Sequence, residues 1–256
     1  MTHKSWFDPE DYSESVIRPN LQYGAESDLP PKLMMIFASQ VLDELKDKLD
    51  LWTSPDRFAF FGGDCEFYRI RGNEKMGFIE GTIGAPIGSS ALDTAIARGV
   101  TEVFILGLCG AVSSDLRIGD LVIPNEAIRE EGTSYHYALS GLAARPDKSA
   151  YLKLKKYAEN TELTVHTGKT VSTDAPYRQT INTELGWREA GIIGVDMEMS
   201  ALFTVAKYRD IPAVGLFVVS DDHDLTGVHD WEWNRNSFHE SLQSTVVLLS
   251  NFIMQS

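Results

Sequence analysis

Two apolar stretches decide the fold, Val-Phe-Ile-Leu-Gly-Leu at 103–108 and Ala-Val-Gly-Leu-Phe-Val-Val at 213–219. Neither alternates between apolar and polar residues, so each predicts a strand that is covered on both faces. Such strands are typical of parallel sheets flanked by helices, whose ligands gather at the carboxyl ends of the strands. We therefore expect the segments 107–111, 195–199 and 220–222 to meet at one edge of the sheet.

Outward from these stretches, strand and helix patterns alternate along the chain. Strands are predicted at 33–38, 58–61, 65–71, 76–83, 103–108, 121–123, 163–172 and 212–219, and the strand at 121–123 is expected to end at Pro124. Helices are predicted at 41–49, 89–98, 147–160, 178–190, 197–208 and 233–254. The alternation predicts an α/β fold, a single domain with a mixed, largely parallel sheet flanked by helices. Residues 1–31 are polar and aperiodic, and we interpret them as an N-terminal extension to a domain at 32–256.

The composition excludes several classes of protein. The 256 residues carry a formal net charge of −14, which repels the phosphate backbone of nucleic acids. The N-terminal residues lack the apolar core of a signal peptide, and no stretch approaches the ~20 apolar residues that span a bilayer. We therefore expect a cytoplasmic protein that binds neither nucleic acid nor membrane.

The cysteines and histidines have no spacing that is typical of a metal site. Cys65 and Cys109 lie in apolar, strand-like surroundings and are predicted to be buried free thiols. His223, His229 and the tryptophans at 231 and 233 follow the last strand, where they either form a lid over a site or pin the final helix. We expect no metal and no organic cofactor.

Five short blocks then point to a family. The segments 107–112 (Gly-Leu-Cys-Gly-Ala-Val), 118–124 (Ile-Gly-Asp-Leu-Val-Ile-Pro), 172–177 (Ser-Thr-Asp-Ala-Pro-Tyr), 194–199 (Gly-Val-Asp-Met-Glu-Met) and 219–221 (Val-Ser-Asp) occur in that order. Together they resemble the nucleoside phosphorylase/nucleosidase superfamily, which contains purine nucleoside phosphorylase, uridine phosphorylase and methylthioadenosine/S-adenosylhomocysteine nucleosidase. The resemblance implies a homo-oligomer, either a dimer or a trimer of dimers, that acts on a small nucleoside.

Cleavage of an N-glycosidic bond needs two kinds of help from the protein. An acid neutralises the departing base, and a carboxylate that holds the ribose hydroxyls stabilises the cationic sugar. The resemblance implies that Asp221 assists protonation of the base at N7, which favours a purine, and that Glu198 binds the 2′ and 3′ hydroxyls. By local sequence alone, Asp221 could instead start a turn, and Glu198 could be ordinary acidity at a helix start.

Further contacts with the nucleoside follow from the same resemblance. Met197 is expected to pack against the sugar, although filling the core is its alternative role. Pro176, Tyr177 and Asp196 are expected to contact the base, and Pro176 replaces a phenylalanine that the family often has. Asp174 is expected to buttress this loop.

The site for the nucleophile departs from the family pattern. Leu42, Ile105 and Leu108 stand where phosphorylases carry two arginines and a serine, and Gln40 stands near the glutamate with which nucleosidases activate water. Weaker candidates for contact with an anion or a water are Ser39, Thr82, Ser89, Arg57 and Gly107. Arg57 is either a surface residue or a donor to a neighbouring subunit.

Three hypotheses about function remain open. The chain is a purine nucleoside phosphorylase, a pentosyltransferase that needs inorganic phosphate as co-substrate, or it is a hydrolytic nucleosidase of the same fold. Since neither nucleophile motif is intact, the third hypothesis is a nucleoside-binding protein that has lost catalysis.

Overall fold

Strands and helices alternate in the computed structural model, which describes residues 10–11, 13–23, 29–55, 57–223, 225 and 235–255. The strands are β1 (Lys32–Ile36), β2 (Leu51–Thr53), β3 (Phe58–Phe60), β4 (Gly63–Cys65), β5 (Phe67–Ile70), β6 (Asn73–Glu80), β7 (Glu102–Ala111), β8 (Leu121–Glu130), β9 (Val165–Thr173), β10 (Ile192–Asp196) and β11 (Ala213–Asp222). The helices are α1 (Pro19–Tyr23), α2 (Ser39–Lys48), α3 (Ala85–Ala97), α4 (Lys148–Ala158), α5 (Ile181–Glu189), α6 (Met199–Tyr208) and α7 (Arg235–Gln255). None of the helices in these ranges is both long and apolar enough to cross a membrane.

The sheet is mixed and partly closed. Within the described residues, nine strands pair in the order β10-β9-β8-β11-β7-β1-β6-β5-β2, and β3 pairs with β4 separately. β7 also pairs with β10, so that β10, β9, β8, β11 and β7 form a ring. β1 pairs in parallel with β6 and β7, whereas β8 pairs antiparallel with β11. The predicted single α/β domain with a mixed sheet is confirmed.

Helices cover both faces of the sheet. Successive side chains of a strand point to opposite faces. Accordingly, Met34 and Ile36 of β1 pack with α2, α4 and α7, whereas Leu33 and Met35 pack with α3 and α6. All four side chains are buried. This burial on both faces explains why the central strands lack polar alternation.

Pro124 does not end its strand, so that prediction is wrong. β8 continues through Pro124 to Glu130, and its pairing with β9 shifts register between Pro124 and Glu126. A proline has no N–H to donate, and an irregularity of the ladder lets the strand continue past it.

Other differences concern where elements begin and end. The helix expected from residue 89 begins at Ala85, with Pro86 in its first turn, where the missing N–H needs no helical partner. The strand expected to reach residue 83 ends at Glu80, and Gly84, with a φ of +112°, turns the chain into α3. β11 runs on to Asp222, beyond the predicted end at residue 219.

A buried guanidinium fastens the segment that follows β8. Arg129 donates from Nε to the Ser134 hydroxyl at 2.7 Å and from Nη2 to the Ala138 carbonyl at 2.8 Å. Its Nη1 donates to the carbonyls of Leu139 and Leu142 at 2.7 and 3.0 Å. Because Arg129 belongs to β8, these bonds tie the following loop to the sheet.

We expect Arg129→Lys to lower the free energy of unfolding by about 2–4 kcal/mol, because an ammonium cannot supply the planar fork of donors that these acceptors use. Urea titration with an unchanged m-value measures the loss. Arg145→Lys is the matched control, since the Arg145 side chain is 65% exposed where it pairs with Glu126. An equally small effect of both substitutions would contradict the bracing role of Arg129.

Candidate active site

Three segments meet where the sheet closes. Gly110 of β7 lies opposite Val195 of β10 on one side and opposite Asp221 of β11 on the other. Since neighbouring strands lie about 4.8 Å apart, β10 and β11 are separated by roughly 10 Å across β7. The expectation that these strand ends converge is confirmed.

Asp221 is buried beside a cavity. It is the penultimate residue of β11, and 8% of its surface is exposed. The Ser220 hydroxyl donates to Asp221 Oδ1 at 2.5 Å, and Oδ2 lies 2.9 Å from Nε2 of His223. Asp221, Pro176 and Tyr177 line a cavity of about 500 Å³. A cavity of this size suits a small molecule such as a nucleobase.

His223 is a member of this cluster that sequence reasoning did not assign to the site. Its Nδ1 contacts Glu184 Oε1, and Gln179 Nε2 lies 3.1 Å from the same nitrogen. Burial lowers the pKa of His223, but the hydrogen bonds and charges of Asp221 and Glu184 outweigh it and raise the pKa to about 9. The sequence offered one indication of this role: His223 lies two residues after Asp221, and alternate residues of a strand point to the same face. His229 and the tryptophans at 231 and 233 of the predicted lid lie outside the described residues.

Glu198 lies at the turn from β10 into α6. It is 8% exposed, and its Oε1 accepts a hydrogen bond from the Gly84 N–H at 2.6 Å. Burial and then the charge of Asp196 raise the pKa of Glu198. Glu198 is not among the described residues that line the cavity at Asp221. The pairing of both β10 and β11 with β7 brings Glu198 and Asp221 to the same edge of the sheet.

Asp196 is directed at the start of α6 and not at the cavity that was expected to hold the base. Its Oδ2 accepts the N–H groups of Glu198 and Met199 at 2.8 and 2.6 Å. Its Oδ1 accepts the Ser172 hydroxyl at 2.6 Å, and Ser172 Oγ in turn accepts the Ser200 N–H at 2.9 Å. This geometry gives no support to the prediction that Asp196 contacts the base. It fixes the backbone that carries Glu198.

The predicted base loop lies beside the cavity. Pro176 and Tyr177 fall in a short 3-10 turn, and the Tyr177 side chain is fully exposed. Asp174 accepts the Gly132 N–H at 2.7 Å, which is the buttressing contact that was expected. Met197 is half-buried next to Glu198, and its expected contact with a sugar stays a prediction.

The predicted residues for the nucleophile are not brought together. Ser39 and Thr82 are exposed, the first of them at the start of α2. Arg57 is exposed and forms an ion pair with Asp64. Gly107 is buried in β7, where the Phe217 ring would lie 3.0 Å from a Cβ. None of these four residues lines the cavity at Asp221.

The three positions where the resemblance places phosphate donors hold packed apolar side chains. Leu42 and Ile105 are buried in the core, and Leu108 packs against it. Ser89 lines a second cavity of about 730 Å³ together with Asp174. The Ser89 hydroxyl is buried and has no hydrogen-bond partner in the described part of the chain, so a ligand or water could satisfy it.

Both cysteines are free thiols, as predicted. Cys109 is also buried, but the predicted burial is wrong for Cys65, which is partly exposed. Burial, followed by the charges of Asp196 and Asp221, raises the pKa of Cys109 well above its ordinary value. The described ranges contain no group of His, Cys, Asp and Glu side chains that could hold a metal ion.

Comparisons with known proteins agree with this architecture. A family model described as the phosphorylase superfamily matches residues 39–253. A guanosine phosphorylase from Halorubrum lacusprofundi is 31% identical over 137 residues, which are 54% of this chain and 57% of that protein. The match thus spans little more than half of that relative.

Two solved structures share the fold. The uridine phosphorylase of Vibrio fischeri superposes with a TM-score of 0.76 at 18% identity, covering 92% of this chain and all (100%) of that one. The purine nucleoside phosphorylase of Toxoplasma gondii in complex with immucillin-H superposes with a TM-score of 0.75 at 18% identity, covering 90% of this chain and 94% of that one. At such low identity, the likeness extends to the fold alone.

Burial of Glu198 gives the stability of the protein a dependence on pH. The folded state binds the Glu198 proton more tightly than the unfolded chain does, because the folded pKa is raised. Ionisation of Glu198 therefore destabilises the fold, and stability falls as the pH rises from the ordinary glutamate pKa through the raised one.

We expect Glu198→Gln to gain stability relative to the native protein between about pH 5 and about pH 8, by at least ~1 kcal/mol. Urea midpoints at intermediate pH values measure the difference, with Glu189→Gln at an exposed position as the control. A difference that does not vary with pH would show that the burial of Glu198 carries no such penalty.

Proposed function

Because the chain belongs to the phosphorylase superfamily, we propose that it is a pentosyltransferase that cleaves the N-glycosidic bond of a purine nucleoside by phosphorolysis. The observation that carries this proposal is the buried Asp221 at the end of β11, facing a cavity of about 500 Å³. The name of its relative, a guanosine phosphorylase, supports a purine as the base.

In this proposal Asp221 serves the leaving group. As the bond from C1′ to N9 breaks, negative charge develops on the base, and a proton delivered to N7 lets the base leave neutral. Burial makes this assistance effective, since little water reaches the Asp221 carboxyl group to screen it. Pro176 and Tyr177 border the same cavity and would contact the base.

Glu198 serves the sugar. A carboxylate that accepts the 2′ and 3′ hydroxyls fixes the ring and stabilises the oxocarbenium-like transition state. Asp196 supports this role by accepting the Glu198 N–H. Because the Gly84 N–H now donates to Glu198 Oε1, ribose binding requires that this contact be shared or exchanged. Met197 would then pack against the bound sugar.

Hydrolysis is the second candidate, and the apolar side chains of Leu42, Ile105 and Leu108 favour it. Phosphate is held best by bidentate guanidinium donors, and these positions offer none. Water needs no such donors. A nucleoside-binding protein without catalysis is the remaining alternative.

We also propose a homo-oligomer located in the cytoplasm. Tyr177 and Ile181 line the cavity with exposed side chains, and a second copy of the chain would cover such an apolar surface. The oligomer number stays open between a dimer and a trimer of dimers.

Incubation with guanosine, inosine, adenosine and methylthioadenosine, with and without phosphate, separates the candidates. We expect free base to appear and its release to depend on phosphate, with ribose 1-phosphate as the second product. Release without phosphate would favour hydrolysis, and binding without release would leave a binding protein. Chromatography of the bases provides the measurement.

Asp221→Asn should lower kcat for purine nucleosides by about 10²–10⁴-fold, because the amide cannot deliver a proton. Asp222→Asn is the matched control, since Asp222 is the next residue and is exposed. Steady-state kinetics with both variants, alongside a thermal melt, separates chemistry from folding. Unchanged turnover in Asp221→Asn would remove Asp221 from the acid's role.

A further inference from the structure

His223 joins two buried carboxylates in one chain of hydrogen bonds. Its Nε2 lies 2.9 Å from Asp221 Oδ2, and its Nδ1 contacts Glu184 Oε1. Glu184 is 3% exposed and Asp221 is 8% exposed. Each ring nitrogen thus faces a carboxylate, which accepts hydrogen bonds and has none to donate when ionised. The doubly protonated imidazolium satisfies both contacts.

The surroundings hold the ring in place. Arg188 Nη2 donates to the His223 carbonyl at 2.9 Å. At Gly110 a Cβ would lie 2.8 Å from His223 Nε2, so glycine at this position of β7 admits the ring.

We propose that His223 is a positioning residue that stores the proton which Asp221 delivers to the departing base, with Glu184 as its anchor. This inference rests on the proposed function, because it assigns a source to the proton that purine release consumes.

The relay moves one proton while one electron pair moves onto the base. The C1′–N9 bond breaks, and its electron pair moves onto the base while an oxygen of phosphate bonds to C1′; in hydrolysis a water bonds there instead and loses a proton to solvent. Asp221 accepts the proton of His223 Nε2 and passes a proton to N7. The base leaves neutral, Asp221 remains a carboxylate, and the neutral His223 regains a proton from solvent.

The groups around the ring favour storage of a proton. Among the described residues, the charged or titratable side chains that contact His223 are Asp221 on β11 and Glu184 and Arg188 on α5, with the exposed Asp222 next to it along the chain. The carboxylates raise the pKa of His223 to about 9 against the opposing effect of burial. Activity that needs this proton is therefore present below that pH and is lost as the pH rises through it.

A change of leaving group tests the relay. In 7-methylguanosine N7 is quaternary, so its base departs without accepting a proton. We expect His223→Gln to lower kcat/KM for guanosine by about 10²-fold, mainly through kcat, and to change kcat/KM for 7-methylguanosine less than about threefold. His166→Gln is the matched control, because His166 Nε2 also lies 2.9 Å from an aspartate, Asp120, and does not line the cavity at Asp221.

A second variant keeps the histidine and removes its anchor. Glu184→Gln takes one negative charge from Nδ1, so the pKa of His223 should fall. We expect the alkaline limb of kcat/KM for guanosine to shift to lower pH by about one unit, with 7-methylguanosine showing no corresponding shift. If His223→Gln fails to fold, as judged by circular dichroism, the shift of the alkaline limb in Glu184→Gln alone tests the relay.

Two results would overturn the relay: equal losses on both nucleosides in His223→Gln, or an unmoved alkaline limb in Glu184→Gln. Either result, with active native protein, rejects the relay and leaves the proposed function standing. Native protein that releases base from none of the purine nucleosides rejects the proposed function, and the relay falls with it.

Discussion

The pairing of β10 with β7 is the constraint on which the site depends. β7 already pairs with β11, so its end at Gly110 must accept a strand on each side. Close approach requires small residues, and at Gly194 of β10 a Cβ would lie 3.2 Å from Cys109 Sγ. Because of this closure, Asp196 and Glu198 at the end of β10 lie across β7 from Asp221 at the end of β11.

Burying so many carboxylates in one place opposes folding, and the structure compensates each of them differently. An ionised carboxylate taken out of water costs several kcal/mol unless hydrogen bonds replace its hydration. Asp196 accepts two N–H groups at the start of α6 and the Ser172 hydroxyl, whereas Asp221 contacts a hydroxyl and an imidazole. Glu198 receives the Gly84 N–H, and its pKa rises. Such unequal compensation is typical of a site whose groups must exchange protons or partners.

Sequence reasoning recovered the features that local pattern encodes. The apolar runs predicted β7 and β11, and ordered blocks predicted the turn that carries Glu198. It missed contacts between residues distant in sequence. Glu184 lies 39 residues from His223, and Gly84 lies 114 residues from Glu198, so no local pattern links them. Asp196 shows a second limit of prediction from sequence. An aspartate at a helix start and an aspartate that contacts a base look the same in the sequence, and only the hydrogen bonds distinguish them.

The proposed site has one half for the leaving group and one for the nucleophile, and the described residues supply the first half more completely than the second. In the proposed function, the leaving-group half has a buried acid, an imidazole and a cavity, all from the described residues. The positions that the resemblance assigns to phosphate donors hold apolar side chains, and the overall charge of −14 disfavours an anionic nucleophile such as phosphate. Phosphorolysis then needs a cation from another part of the chain or from a neighbouring copy. Arg57 could be that cation only if it left its ion pair with Asp64 to bind the phosphate. Hydrolysis imposes no such exchange. In the proposed function, the choice of phosphate or water as nucleophile therefore depends on whether a cation such as Arg57 can reach the anion, whereas departure of the base depends on the buried groups around Asp221.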